Sequence, residues 1–390
     1  MTKHNIALDY LRAFVIVLVL AYHSVIAYSV FARFDPNHYL WGAPIVDSQR
    51  WLGFDLFVLF DDIFFMPLMF FLSGLFVWPS LARKGSRTFL RDRNLRLGLP
   101  FALVVIFLMP LAYYPSFRMT GADLDFFAFW RRCFSFDSWP GGPAWFVWVL
   151  LVFDYIAARL HAVASRLDYA HRWMASGVFS RSTVFFGILL TLSAVAYLSM
   201  LLAFGPTQWF TLGPFAVWAS RLLLYAVYFF AGVGVGAYGI QRGLLAPDGS
   251  LVQHWVRWLI AALAAYALVV VLEIIRQRMG SGISSLTMQT IRGVAFVSAC
   301  GAIGFSMLAI FLRFANERVR VFDSLRDNAY GMYLIHYAFV IWLQYALQDA
   351  PLSAVEKAGI VFVGTLAMSW GVTAAIRCIP AVDRIIWGNR

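Results

Sequence analysis

Charge is what this sequence has least of. Only 13% of its 390 residues are Asp, Glu, Lys or Arg, where a soluble globular domain carries about 25%. That shortage excludes a water-exposed surface over most of the chain. Cysteine is nearly as scarce. The three present, Cys133, Cys300 and Cys378, show no metal-ligand spacing. Two fall in or near apolar stretches, so neither a disulfide framework nor a metal site is expected. A cleavable leader is not expected either, because the first apolar run is too long for one and no small-residue cleavage site follows it. No stretch is long and polar enough for a separate soluble domain, so residues 1–390 read as a single membrane-embedded unit.

What the chain has is apolar sequence, 62% of it, in blocks of about twenty residues, the length of a bilayer-crossing helix. The expected fold class is therefore all-α, a polytopic membrane bundle. Ten helices are predicted, at roughly 7–30, 56–79, 97–115, 143–163, 183–204, 215–238, 256–276, 292–313, 328–347 and 356–377. Lone strands are excluded as spans, since open sheet edges cannot face lipid. An even count puts both termini on one side. Twenty of the 31 Lys and Arg residues fall on segments sharing that side, Lys3, Arg166, Arg172, Arg384 and Arg390 among them, and nine fall on the other. This excess predicts cytoplasmic termini. The net charge of +11 does not point to nucleic acid, because the basic residues sit between apolar blocks. The longest outer segments, 31–55 and 116–142, carry Trp41, Trp51, Trp130 and Trp139. Tryptophan there anchors the interface, and aromatic faces beside carboxylates also suit sugars.

The first helix, "LDYLRAFVIVLVLAYHSV", keeps Asp9, Arg12 and His23. Ionisable residues inside a span are expensive and mark functional sites by default. Arg12 and His23 are eleven residues apart, about three turns plus 20°, which puts them on one face and roughly 16 Å apart along the axis. Asp9 can pair with Arg12 three residues on; on a purely structural reading, that pair marks the inner interface and His23 bonds a neighbouring helix. The inner loop "ARKGSRTFLRDRNLRLGLPF" holds six basic residues and one acid. Arg91, Arg93 and Arg96 can converge on one helical face before Pro100, and arginine forks suit phosphate. Attraction to anionic membrane lipid is the alternative. A basic inner mouth and a deeper histidine together fit a phosphate-bearing carrier with a long neutral arm, and coenzyme A has that shape.

Four segments sharpen this. "LDYLR" followed by "AYHSV", then "MPLMFFLSGLF", "RDRNLRLGLP" and "NAYGMYLIHY" occur in order along nearly the whole chain. In this order the chain resembles the membrane acyltransferase 3 family. With "GPAWFVWVLLVF" and the lack of a fused domain, it is similar to the family's succinyl transferases of periplasmic glucans. The resemblance implies acetyl or succinyl transfer from cytoplasmic acyl-coenzyme A to a hydroxyl of an extracytoplasmic glycan or glycolipid. His23 and Arg12 then take the functional positions of the opening helix, and Arg93 and Arg96 those of the basic loop. Tyr10 and Ala13 stand where the family often has Gly.

In this reading His23 is the general base, with a histidine pKa near neutrality; a covalent acyl-histidine remains the other route. Asp61 and Asp62 open the second helix and are candidates to orient it. Ser73 and Gly74 suit close helix packing. Arg91, Arg93, Arg96, Tyr333 and His336 are candidate donor contacts, and Arg221 and Trp145 candidate substrate contacts. Succinyl would need a cation for its free carboxylate, from Arg221 or Arg118; acetyl needs none. Asp154 and Glu273 sit in spans where Arg159 and Arg276 can pair with them. No metal is expected, and a homo-oligomer is compatible with the sequence. The rival class is a transporter or flippase, for which the glycine-rich "FFAGVGVGAYG" is the one suggestive stretch.

Overall fold

A computed structural model describes residues 5–40, 42–134, 139–164, 181–279, 285–380 and 383. Lys3, Trp41, Arg166, Arg172, Arg384 and Arg390 lie outside the described residues. Ten long helical segments match the ten expected: α1 (Ile6–Ile26), α2 (Leu52–Gly74), α3 (Ser86–Met119), α4 (Trp145–Ala164), α5 (Ser182–Phe204), α6 (Leu222–Tyr238), α7 (Trp255–Met279), α8 (Ser285–Phe314), α9 (Arg320–Ala346) and α10 (Ala354–Arg377). Among the described residues, nine of these segments are long and apolar enough to cross a bilayer. The molecule is an all-α polytopic membrane bundle.

The tenth, α9, is too polar to qualify by composition, and its place explains why. It packs against α1, α10 and the end of α3, so much of its polar sequence meets protein instead of lipid. Arg326 pairs with Asp323 at 3.0 Å and with Asp327 at 2.8 Å, while Asn328 donates to the Ser324 carbonyl at 2.8 Å. Polar residues at membrane depth are tolerated when such partners are supplied.

Two boundaries differ from expectation in ways that matter for the site. The second helix begins at Leu52, not near residue 56, so Asp61 and Asp62 lie well inside it instead of opening it. The sixth helix does not begin at 215. Residues Phe215–Trp218 form a strand paired antiparallel with Trp209–Leu212, Trp209 opposite Trp218 and Leu212 opposite Phe215. Aromatic and β-branched residues flank a two-residue Gly-Pro turn, where Gly213 supplies a φ of 56°, as a tight hairpin requires. The hairpin sits at the bundle end that carries His23, outside the spans.

The same end is tied down by a fully buried ion pair. Lys357 Nζ donates to Asp47 Oδ2 at 2.7 Å and to the Gln348 carbonyl at 2.9 Å. Asp47 belongs to the connection after α1 and Lys357 to the first turn of α10, so the pair fixes that connection over the bundle. The α10 start is set by a capping box between Ser353 and Glu356, which satisfies orphan N–H groups at the helix end. All three cysteines are free. Cys133 is buried in a short helix between α3 and α4, and desolvation pushes its thiol up to about 12, so it behaves as a small hydrophobe.

α2 and α6 approach unusually closely. A Cβ on Gly232 would sit 2.1 Å from the Phe71 carbonyl oxygen, one on Gly236 2.0 Å from that of Leu75, and one on Gly74 2.2 Å from that of Phe229. Gly232 and Gly236 are four apart, the small-xxx-small spacing that lets membrane helices touch backbone to backbone. The glycine-rich stretch is thus an unbroken helix used for packing, not the interrupted helix of a transporter site.

Candidate active site

His23 lies in the last turn of α1, half-buried. Its Nδ1 is 2.9 Å from the Val19 carbonyl oxygen. A carbonyl only accepts, so in the neutral ring Nδ1 carries the proton and Nε2 carries the free lone pair. His336, fully buried in α9, obeys the same logic: its Nδ1 is 2.7 Å from the Tyr333 carbonyl, which leaves its own Nε2 as an acceptor. That Nε2 is 3.4 Å from His23 Nδ1. One N–H of His23 is therefore shared between a carbonyl and a second imidazole, and both rings are locked in one tautomer. His23 is oriented by Val19 and His336, not by Asp61 or Asp62.

The chain positions this pair from both sides. Gln344, two turns beyond His336, donates to the carbonyls of His23 at 2.9 Å and Ser24 at 3.2 Å. These are among the last four carbonyls of α1, which have no partner within the helix. Tyr22 and Tyr337 each stand edge-on to the His23 ring, with centroids 5.1 Å away. Tyr113 donates to the Tyr337 hydroxyl at 3.4 Å.

A cavity of about 470 Å³ opens beside His23. Tyr22, His23, Asp62, Trp145, Arg221 and Tyr333 line it, with Trp209 and Trp218 of the hairpin and residues of the connection after α1. It therefore opens at the His23 end of the bundle. Arg221 is held by a two-pronged pair with Asp62, Nη1 to Oδ1 at 2.8 Å and Nη2 to Oδ2 at 2.5 Å. Its guanidinium lies over the Trp218 ring at 4.2 Å. Tyr333 donates its hydroxyl to the Pro143 carbonyl, which fixes the start of α4 and Trp145 with it. Trp145 in turn stacks on Tyr225 at 5.3 Å. Asp61 is fully buried, does not line the cavity, and has no hydrogen-bond partner for either oxygen among the described residues.

Arg12 and the arginines of the basic loop lie at the opposite end. Arg12 approaches Asp9 at 3.8 Å and donates to the Leu72 carbonyl at 3.5 Å, with its guanidinium over Phe76 at 5.1 Å. Arg93 comes close enough to Arg12 for the two charges to repel. Arg93 pairs with the buried Asp154 at 3.2 Å, so Asp154 meets Arg93, not Arg159. Glu273 is bonded by Arg276, as expected, and also by Arg292 at 2.6 Å. Arg91 is exposed and Arg96 partly so, and the Arg96 carbonyl accepts from Tyr330 at 2.6 Å. None of Arg12, Arg91, Arg93 and Arg96 lines the cavity. Sequence reasoning missed Tyr22, Tyr225, Trp218, Tyr337 and Gln344. The polar Gln344 within a span was the one available signal among them.

The fold and the site define a multi-pass membrane protein built around an imidazole pair beside an aromatic cavity. A family model described as an acyltransferase domain matches residues 5–374, nearly the whole chain. The protein belongs to the acyltransferase 3 family and is a membrane acyltransferase. No curated protein and no solved structure matches it. Among the described residues no group of three His, Cys, Asp or Glu side chains is arranged to hold a metal.

Proposed function

We propose that the protein transfers a short acyl group, acetyl or succinyl, from cytoplasmic acyl-coenzyme A to a hydroxyl of an extracytoplasmic glycan or glycolipid in a bacterial inner membrane. His23 is the general base. The acceptor enters the aromatic cavity, and its O–H faces His23 Nε2. The oxygen attacks the thioester carbon as Nε2 takes the proton. The C–S bond then breaks, and the thiolate leaves with that proton as the free thiol. His336 accepts the shared Nδ1–H throughout and steadies the imidazolium while it exists. The donor nucleotide binds the basic end at Arg91, Arg93 and Arg96, and its arm follows α1 past Arg12 toward His23. The observation that carries this reading is the free Nε2 lone pair of a fixed imidazole, set beside a cavity large enough for a substrate.

The test is asymmetric. In proteoliposomes, acyl-coenzyme A is supplied to the face bearing Arg12 and a glycan acceptor to the other. Acceptor mass rising by one acyl unit, only with donor present, is the expected result. Glycan flux that needs no acyl donor would instead make the bundle a transporter.

The basic end gives a second expectation. Arg91→Ala with Arg96→Ala should weaken donor binding and flatten its dependence on salt, because exposed phosphate contacts are screened by ions. Titration of acyl-coenzyme A at low and high ionic strength measures it. Unchanged affinity would leave the loop as a topology signal. Arg93 is a poorer choice for that test, since its loss strands Asp154 as a buried, unpaired carboxyl, a change that costs about 3–5 kcal/mol.

A further inference from the structure

The cavity contains a charge pair that the transfer chemistry above does not use. Arg221 and Asp62 face the same space as His23, and they are closed on each other by both prongs of the guanidinium. A third bond runs from Arg221 Nη1 to the Asp62 carbonyl at 3.3 Å. The ring of Trp218 lies against the guanidinium at 4.2 Å and that of Phe296 at 5.1 Å. The arginine's charge is thus already matched by a carboxylate in its own protein, with its flat faces covered.

We propose that the Asp62–Arg221 pair sets acyl selectivity: closed, it presents no free charge beside His23, so the donor acyl group is short and uncharged, acetyl in preference to succinyl. This rests on the acyl-transfer reading above and deepens it.

The argument is one of competition. A succinyl carboxylate seeking the Nη1–Nη2 edge of Arg221 must displace Asp62, and one approaching elsewhere meets a guanidinium whose charge is already matched. The displaced aspartate, half-buried on the cavity wall, would be left with no cation, next in sequence to Asp61, a buried carboxyl without a partner among the described residues. Stripping a half-buried carboxylate of its counter-ion leaves its charge uncompensated, and that is unfavourable. The intramolecular carboxylate also has the advantage of being already in place. Among the described residues, Arg33 is the other arginine lining the cavity. It is exposed on the connection after α1, where water and salt weaken ion pairs. Arg118 is exposed and already paired with Asp123 at 3.1 Å. An acetyl group makes no demand on any of these residues.

The experiment is a donor competition with the full chain, acetyl- against succinyl-coenzyme A, read as products by mass. The wild-type protein is expected to favour acetyl by at least tenfold. Asp62→Asn keeps the side-chain shape but removes the negative charge, so it frees Arg221 for an outside carboxylate. That variant should move the succinyl-to-acetyl ratio upward by at least tenfold, and adding Arg221→Gln should cancel the gain. Wild-type preference for succinyl, or an unchanged ratio in Asp62→Asn with turnover retained, would overturn this inference while acyl transfer stands. Turnover of neither donor by the wild-type protein would overturn both together. The wild-type ratio needs no variant to fold, so it decides the matter even if Asp62→Asn is unstable.

Discussion

Replacing His23 by glutamine is expected to reduce acyl transfer by about 10²- to 10⁴-fold, the range that a positioned general base contributes. Glutamine preserves a polar side chain at the cavity wall but offers no basic nitrogen. The fold should survive, because the contacts holding the end of α1 use the backbone carbonyls of residues 23 and 24, bonded by Gln344. Size-exclusion behaviour and thermal unfolding in detergent check that point, and single-turnover transfer measures the chemistry. Full turnover in His23→Gln would remove the imidazole as base. His336 is a positioning residue and should behave differently. His336→Leu deletes the acceptor that faces His23 Nδ1–H, and a hydrogen bond to a charged group is worth about 1.5–3 kcal/mol, a loss of roughly ten- to a hundredfold. That loss should fall on kcat with KM little changed, since His336 is not among the cavity residues and the imidazolium exists only during transfer. His336→Asn, whose carbonyl oxygen can still accept, should recover part of it. A merely structural role would give no such split and no such recovery.

The spans were legible in the sequence because lipid imposes a long apolar run on each. Even α9 was legible as a helix at 328–347, although its polar residues keep it from qualifying as a span by apolarity; the structure extends it back to Arg320. His23 and His336 stood out as candidates because of the cost of placing them in apolar sequence. Their partnership did not follow, because it joins residues 313 positions apart and depends on how α1 and α9 are rotated. Spacing along one helix already separates Arg12 from His23 by roughly 16 Å. In the folded chain the two serve opposite ends of the bundle. The Asp62–Arg221 pair, 159 positions apart, was hidden in the same way: each residue was noticed for its charge, and only packing shows that each neutralises the other. Asp154 went to Arg93 over the nearer Arg159 because α4 packs against the start of α3. Tyr10 takes a role that only packing shows. Its hydroxyl donates to Asp323 at 3.0 Å and accepts from the Val319 N–H at 3.0 Å, which ties α1 to the start of α9.

Gly232→Ala should be, with Gly236→Ala, among the most damaging single-methyl changes at the α2–α6 seam. A Cβ at this position would lie 2.1 Å from the Phe71 carbonyl oxygen and 3.0 Å from its carbon. Both are backbone atoms, so no rotamer change relieves the contact. Either α2 or α6 must move outward as a unit. Three consequences follow from that movement. The Gly74 and Gly236 contacts along the same seam open with it, and the close packing they provide is lost. Phe70, Phe71 and Phe229, all buried at this interface, lose their complementary surface. Arg221, just before α6, is displaced relative to Asp62 on α2, so the cavity wall is disturbed at the point where the two helices share a charge pair. Overpacking a tight core costs about 1–3 kcal/mol, and a backbone clash repeated along a seam should reach or exceed the upper end. The expected readouts are a fall in detergent melting temperature and in the yield of monodisperse protein, together with loss of transfer. Gly187→Ala is the control. Gly187 lies within α5, with nothing within 4 Å of an added Cβ, and alanine there reduces the backbone freedom that glycine must lose on folding. It should leave stability equal or slightly higher. If Gly232→Ala were as stable as Gly187→Ala, the α2–α6 seam would not be the close backbone contact that positions Asp62 and Arg221 together.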